Sequence, residues 1–286
     1  MPVHPFSSFS STVLALRRAG CVFAEDEARL LHEAAASADE LSLLVERRAA
    51  GLPLEHVLGW ADFHGRRFAV DTGVFVPRRR TEFLVAQAAA LAPRRAVVVD
   101  LCCGSGALGV ALAAASDAAE LHACDVEPAA VRCARRNVGD LGHVYEGDLF
   151  APLPAALRGR VDVLLANVPY VPTGDVELLP AEARIHEPRV ALDGGGDGLD
   201  VMRRVAAEAP RWLAPGGSLL VEASERQRDT AVEVLRAAGL SPRVLVSEEL
   251  HATVLVGTAP VGAAEEHLGF SLWRDPVTAP DPAPHD

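Results

Sequence analysis

The chain of 286 residues is 50% hydrophobic and has a formal net charge of −12, and every cationic side chain apart from His is Arg. This charge repels free nucleic acid and no apolar run is long enough to span a bilayer, so we expect neither direct DNA binding nor membrane insertion. The five cysteines form neither a paired framework nor metal-ligand spacing, and the N-terminus lacks an export signal, which predicts no bound metal and a cytoplasmic location.

The first part of the chain predicts a small helical domain, to which we assign residues 1–52. Apolar residues recur there at helical spacing, Gly20 is a candidate break, and Asp26 and Asp39 are candidate helix starts. Two interpretations remain open. The domain either docks a partner or covers one edge of the main domain.

Residues 53–80 predict a linker that contains a β-hairpin. Its strands are residues 60–63 and 67–70, with a Gly-containing turn between them. The Arg triplet of residues 78–80 is interpreted as a solvated helix start, with an anion-attracting rim as the alternative. After the linker, Thr81 is a candidate cap of a helix that runs to about Leu91.

From residue 96 onward, predicted strands and helices alternate. The predicted strands are residues 97–100, 121–125, 144–145, 161–166, 218–221, 243–246 and 253–256, and the predicted helices are residues 108–115, 128–137, 201–209 and 230–238. A long loop with Pro and Gly residues is predicted after the strand 161–166. This alternation indicates an α/β domain with a doubly wound, mostly parallel sheet and helices on both faces. We assign residues 81–260 to this domain and interpret the Pro-rich residues 261–286 as a flexible tail.

A Gly-containing turn between the first strand and the first helix of this domain predicts a cofactor site. The residues of the turn are Cys102, Cys103, Gly104, Ser105 and Gly106. The glycines let the backbone turn tightly and approach a ligand closely. With Gly109 they also satisfy the G-x-G-x-x-G pattern, so the spacing by itself is compatible with NAD.

Acidic residues follow three successive strands. Asp125 is placed to accept the hydroxyl groups of a ribose, and Asp148 could meet an adenine amine beside an apolar wall that includes Leu149. Asp100 would repel a pyrophosphate, but it suits the cationic, amine-bearing end of S-adenosylmethionine. We therefore favour S-adenosylmethionine over NAD as the cofactor.

The tetrapeptide Asn167-Val168-Pro169-Tyr170 follows the apolar strand 161–166, at the strand end where open α/β sheets bind ligands. The Asn167 amide oxygen and the Val168 carbonyl are two acceptors beside the flat Tyr170 ring. Together they could hold a planar NH2 group, either of a primary amide or of a base. Accepting both N–H groups would raise the electron density on that nitrogen, so we predict these four residues to be catalytic.

Several stretches of the chain form one combined pattern. They are residues 51–59 (GLPLEHVLG), 73–78 (GVFVPR), 81–82 (TE), 167–170 (NVPY), 187–195 (EPRVALDGG) and 198–200 (GLD). In this combination they resemble the HemK-like protein-(glutamine-N5) methyltransferases. The resemblance implies a class I, Rossmann-like methyltransferase fold, S-adenosylmethionine as donor, and a glutamine side chain of a peptide chain release factor as acceptor. It assigns Asn167 and its loop to the acceptor amide, and residues 102–106, Asp125, Leu149 and Asn167 to the cofactor.

Three departures from that family's pattern indicate a divergent member whose substrate can differ. The family usually has Pro in place of Val168, Gly in place of Cys102, and Pro then an acid in place of Arg79 and Arg80. Val168 keeps its carbonyl but regains the rotation about φ that Pro removes. The two arginines change the charge at a rim where substrate could enter.

Other functions stay open. Similar loops hold a flipped adenine for N6-methylation, although the net charge and the absence of a long basic segment weigh against nucleic acid. Methylation of a small molecule is a second alternative. A third is a module that binds S-adenosylmethionine without catalysis and acts through the helical domain.

Overall fold

The computed structural model describes residues 8–118 and 120–261. The predicted tail, apart from its first residue, lies outside the described residues. No described helix combines the length and the apolar character needed to cross a membrane.

Three N-terminal helices share a small hydrophobic cluster. They are α1 (Phe9–Arg18), α2 (Ala24–Ala34) and α3 (Ala38–Ala49). The candidate starts at Asp26 and Asp39 were wrong by one or two residues. The Ser37 hydroxyl caps α3 by accepting from the Glu40 N–H at 3.2 Å, so Asp39 lies inside the first turn. An acid there is favoured by the helix dipole without being the cap.

The predicted hairpin is confirmed as β1 (Trp60–Phe63) and β2 (Arg66–Ala69), and it follows a short helix α4 (Leu54–Leu58) that the periodicity did not predict. The hairpin packs onto the main domain because Phe63 and Phe68 are buried in its core.

The main domain is an α/β fold built on a mixed sheet, and within the described residues this sheet has seven strands. They are β3 (Val97–Leu101), β4 (Glu120–Asp125), β5 (His143–Glu146), β6 (Val161–Ala166), β7 (Leu213–Ala223), β8 (Ser241–Ser247) and β9 (Ala252–Thr258). Their order is β5-β4-β3-β6-β7-β9-β8, with β9 antiparallel to both neighbours and the other pairs parallel.

Helices cover both faces of this sheet. They are α5 (Glu82–Leu91), α6 (Ala107–Ser116), α7 (Pro128–Val138), α9 (Asp200–Glu208) and α10 (Arg228–Ala237). Consecutive strand residues alternate between two cores, since Val98 packs with α5 and α6 whereas Val99 packs with α9 and α10. A strand buried on both faces needs the continuous apolar run that identified it in the sequence.

The order of the strands reverses at β3. The chain runs outward from β3 through β4 to β5, then returns to pair β6 with the other side of β3. Leu101 at the end of β3 pairs with Ala166 at the end of β6. The next residues, Cys102 and Asn167, therefore lie at neighbouring strand ends, at the switch point where α/β sheets bind ligands.

Two predictions about the connections were wrong. Thr81 does not cap α5 through its side chain, because its hydroxyl instead donates to Glu222 Oε2 at 2.7 Å. The segment after β6, predicted as a long loop, contains a further short helix, α8 (Ala181–His186). Pro180 precedes this helix and Pro188 follows it closely, and its 6 residues are too few for the periodicity to reveal it.

Candidate active site

A first cavity opens at the carboxyl ends of β3, β4 and β6. It is lined by nine of the ten predicted cofactor residues: Asp100, Cys102, Cys103, Gly104, Ser105, Asp125, Asp148, Leu149 and Asn167. Gly106 is outside this lining and shapes the turn behind it, with a φ of +76° and space for a Cβ only 3.3 Å from Ala134 Cβ. A side chain at Gly106 would be strained and crowded, so the residue is needed for the turn.

Asp100 is buried at the base of the first cavity, with a relative exposure of 1%. Its Oδ2 accepts from the Gly109 N–H at 2.9 Å. A Cβ at Gly109 would come within 2.9 Å of Leu121 and 3.0 Å of Asp100 Oδ2, so glycine allows this approach. Burial raises the pKa of Asp100 to about 7. The hydrogen bond from Gly109 acts to lower this pKa, and the negative charge of Asp125 acts to raise it.

Asp125 is held by backbone donors on both carboxylate oxygens. Oδ2 accepts from the Gly104 N–H at 2.8 Å and Oδ1 from the Glu127 N–H at 2.9 Å. Burial raises the pKa of Asp125, although these hydrogen bonds act to lower it. The carboxylate is thus oriented by the glycine turn while it lines the first cavity.

Asp148 has a partner that the sequence did not predict. Its Oδ2 accepts from Arg204 at 2.6 Å, and Arg204 also lines the first cavity. The next residue, Leu149, is buried with a φ of +49°, and its carbonyl accepts from the Cys124 thiol at 2.8 Å.

The cysteines of this region do not supply a nucleophile. Burial raises the pKa values of Cys102 and Cys103 well above the ordinary value, and the pKa of Cys124 to about 12. Cysteine reacts as the thiolate. Because the pKa values of these thiols lie well above neutral pH, the thiols stay protonated and unreactive there.

Asn167 lies between the first cavity and a second one. The second cavity is lined by Pro53, Glu55, Phe75, Arg78, Arg80, Asn167, Val168, Tyr170, Val171, Leu179, Pro180, Glu182, Ala183, Glu187, Ala191 and Leu192. The Asn167 Oδ1 is buried and has no hydrogen-bond partner among the described residues. Of the other predicted catalytic residues, Val168 and Tyr170 line the second cavity and Pro169 lines the first.

Tyr170 is anchored at both its side chain and its main chain. Its hydroxyl donates to Glu222 Oε1 at 2.9 Å, and its carbonyl accepts from Gln227 Nε2 at 2.8 Å. Sequence reasoning missed both partners. Glu222 is a lone acid near the end of an apolar strand, and Gln227 completes a Ser-x-x-Gln capping box with Ser224. The lone acid in an apolar strand and the Ser-x-x-Gln spacing were the sequence features that could have indicated these two partners.

The Arg triplet is not a solvated helix start, because two of its members bind buried carboxylates. Arg78 donates to Glu187 at 2.5 Å, and Arg80 donates to Glu222 at 2.9 Å. Arg78 also lies 4.7 Å from the ring centre of Phe75, which lines both cavities. Arg78 and Arg80 therefore line the second cavity as members of ion pairs with buried carboxylates.

The chain is similar to several proteins of known family. The family described as "Methyltransferase small domain" matches residues 66–204. The "Release factor glutamine methyltransferase" of Geobacter sulfurreducens is 41% identical over 199 residues, which cover 68% of this chain and 69% of that protein. The protein of that name from Mycolicibacterium smegmatis is 43% identical over 199 residues, covering 68% and 70%. The one from Moorella thermoacetica is 39% identical over 221 residues, covering 74% and 76%.

Proposed function

Because the chain belongs to the release factor glutamine methyltransferase family, we propose that it transfers a methyl group from S-adenosylmethionine to the side-chain amide nitrogen of a release factor glutamine. The observation that carries this proposal is the buried Asn167 Oδ1, which has no donor among the described residues and lies where two cavities meet. A buried acceptor without a donor is costly, and the NH2 group of a bound amide satisfies it.

The residues of the first cavity fit S-adenosylmethionine. Asp100 and Asp125 give it the negative charge that suits a cationic ligand, and the turn at Gly104 leaves room for close approach. When bound, the cofactor supplies a methyl group on a positively charged sulfur. Leu149 adds apolar wall to the same cavity.

The residues of the second cavity hold and orient the acceptor. Asn167 Oδ1 accepts one N–H of the amide. The Val168 carbonyl, which accepts no hydrogen bond from a described residue, is available for the other. An amide nitrogen is a weak nucleophile because its lone pair is delocalised. Accepting both N–H groups returns electron density to the nitrogen and aims its lone pair toward the first cavity. Tyr170 closes one side and helps exclude water.

We predict that Asn167→Ala lowers methyl transfer at least about 100-fold, because the acceptor amide loses its fixed partner. Cofactor affinity should change by less than about threefold, since Asp100, Asp125 and the glycine turn remain. Titration calorimetry with S-adenosylmethionine and transfer of a radiolabelled methyl group to purified release factor measure the two quantities. Asn167→Asp serves as the matched variant, because it keeps an oxygen acceptor at the same position.

The acceptor is tested by offering the wild-type enzyme release factor, duplex DNA and a protein-free metabolite extract in parallel. Label on a glutamine of the release factor supports the proposal. Label on DNA would identify an adenine methyltransferase. Label found only on metabolites would identify a small-molecule methyltransferase. Cofactor binding without label on any acceptor would leave a binding module. Equal loss of binding and transfer in Asn167→Ala would mean that Asn167 is structural.

A further inference from the structure

Three side chains, those of Arg80, Thr81 and Tyr170, donate to the carboxylate of Glu222, and two of them, Arg80 and Tyr170, line the second cavity. Glu222 is buried, with a relative exposure of 3%, and its Oε1 accepts from Arg80 Nε at 2.9 Å and from the Tyr170 hydroxyl at 2.9 Å. Its Oε2 accepts from the Thr81 hydroxyl at 2.7 Å. Every donor in this set reaches one buried carboxylate.

Arg80 reaches beyond the carboxylate. While Nε binds Glu222, Nη2 donates to the Tyr170 hydroxyl, so the guanidinium contacts both partners of the Tyr170–Glu222 hydrogen bond. The Tyr170 hydroxyl thus donates to one neighbour and accepts from the other. Burial and the charge of Glu222 raise the pKa of Tyr170, which keeps the hydroxyl protonated and able to donate. The planar fork of Arg suits such a bridge, which a single ammonium group cannot reproduce.

The bridge fixes one end of the loop that carries the two predicted acceptors. Tyr170 is three residues from Asn167, and both line the second cavity. Between them Val168 has the rotation about φ that a proline would remove. Arg80 and Tyr170 lie outside the set of described residues that lines the first cavity. A change at Arg80 should therefore act on acceptor geometry and leave cofactor binding intact.

We propose that Arg80 is a positioning residue for methyl transfer, because it binds Glu222 and the Tyr170 hydroxyl together and so fixes the loop of Asn167. This inference rests on the proposed function. Fixing the loop holds the two acceptor oxygens where they orient the amide nitrogen, and a small displacement of a positioning group has a large kinetic effect.

The kinetic test compares Arg80→Ala, Arg80→Lys and the control Arg79→Ala. Arg79 is exposed, as Arg80 is, but it makes no ion pair with a described residue. We expect Arg80→Ala to lower kcat with release factor about 10- to 100-fold, with cofactor affinity unchanged within about threefold. Arg80→Lys should recover the melting temperature, because it restores a cation beside Glu222, but not kcat, because it lacks the fork. Arg79→Ala should match the wild type.

A double-mutant cycle with Tyr170→Phe tests the route of the effect. Tyr170→Phe keeps the ring and removes the hydroxyl through which Arg80 is inferred to act. Arg80→Ala should then lower kcat far less in the Tyr170→Phe background than in the wild type, which is the non-additivity expected of groups in one network. Equal loss of kcat in both backgrounds would overturn the proposal.

Three kinetic outcomes contradict a positioning role. A rise in KM that salt abolishes, with kcat unchanged, would mean that Arg80 attracts the acceptor by charge. A lower melting temperature with normal kcat at a temperature where the variant is folded would mean a structural ion pair only. Full recovery of kcat by Arg80→Lys would mean that the charge suffices and the fork is irrelevant.

Hydrogen exchange separates failure of this inference from failure of the proposed function. The backbone N–H groups of residues 167, 168, 170 and 171 should exchange faster in Arg80→Ala than in Arg79→Ala, whichever acceptor the enzyme uses. If the wild type methylates no release factor but this difference is found, the acceptor assignment is wrong and the loop anchor stands. Identical exchange in the two variants would mean that Arg80 does not fix the loop of Asn167.

Discussion

At the scale of single residues, the buried carboxyl of Asp100 makes the stability of the fold depend on pH. Its carboxyl is buried beside Gly109, and burial raises its pKa from 3.8 to about 7. A folded-state pKa above the unfolded value means that stability is fully present below pH 3.8 and is lost as the pH rises to about 7. This one group therefore contributes less stability near neutral pH than near pH 4. Under the proposed function, we infer that the carboxylate is kept to bind a cationic ligand.

We predict that Asp100→Asn raises the melting temperature of the ligand-free protein by a few degrees at pH 8, since it removes the cost of a buried charge. The gain should grow from about pH 4 to pH 7 and then level off, in line with the titration of Asp100. The same variant should bind S-adenosylmethionine about tenfold more weakly or worse, because a charge-assisted contact is lost. Thermal unfolding across pH and calorimetry measure the two effects, with exposed Asp140→Asn as the control. A gain independent of pH would contradict the assignment.

At the scale of elements, the turn from β3 to α6 is shaped by three residues with positive φ angles. Cys102 has a φ of +53°, Gly104 a φ of +55° and Gly106 a φ of +76°. Glycine adopts such values without strain, but an L side chain does so at a cost of about 1–2 kcal/mol. The departure from the family pattern at Cys102 thus places a strained residue in the lining of the first cavity.

We predict that Cys102→Gly is more stable than Cys102→Ala by about 1 kcal/mol, the reverse of their usual order, because only Ala keeps the strain at φ +53°. Both variants lose the thiol, so their difference isolates the backbone. Urea unfolding of the two proteins gives the free energies of unfolding. A Cys102→Ala variant that is as stable as Cys102→Gly, or more stable, would show that this turn relaxes when the thiol is removed.

At the scale of the whole molecule, one buried arginine connects the N-terminal helices to the edge of the second cavity. Arg48 of α3 donates to Glu27 of α2 at 2.6 Å and to Glu182 of α8 at 2.6 Å, and Glu182 lines the second cavity. This contact favours a covering role for the helices that residues 1–52 contribute. We propose that these helices hold α8 over the acceptor.

We predict that Glu182→Ala accelerates hydrogen exchange in α8, because Arg48 then keeps only its N-terminal partners, Glu27 and the Leu52 carbonyl, and no longer contacts α8. The control is Glu177→Ala, which removes an exposed pair with Arg184 in the same segment and should change little. Exchange of residues 181–186 followed by mass spectrometry measures both variants. Equal exchange in the two would mean that the helices do not hold this segment.

Features that depend on local sequence could be predicted from the chain alone. A strand buried on both faces needs a continuous apolar run, and alternation of such runs with helices leaves few sheet topologies. Polar residues in or just after the carboxyl ends of those strands, such as Asp100, Asp125 and Asn167, must then come together at one edge. The grouping of these residues around the first cavity follows from that rule without any knowledge of tertiary contacts.

Only the tertiary structure decided which distant side chains complete the site. Arg80 and Tyr170 are 90 residues apart and Arg48 and Glu182 134 apart, and neither pair is marked by periodicity or by spacing. Thr81 illustrates the limit, because its sequence context predicts a helix cap whereas its hydroxyl binds the buried Glu222. Local patterns depend on the backbone of neighbouring residues, while the partner of a buried charge depends on which element packs above it.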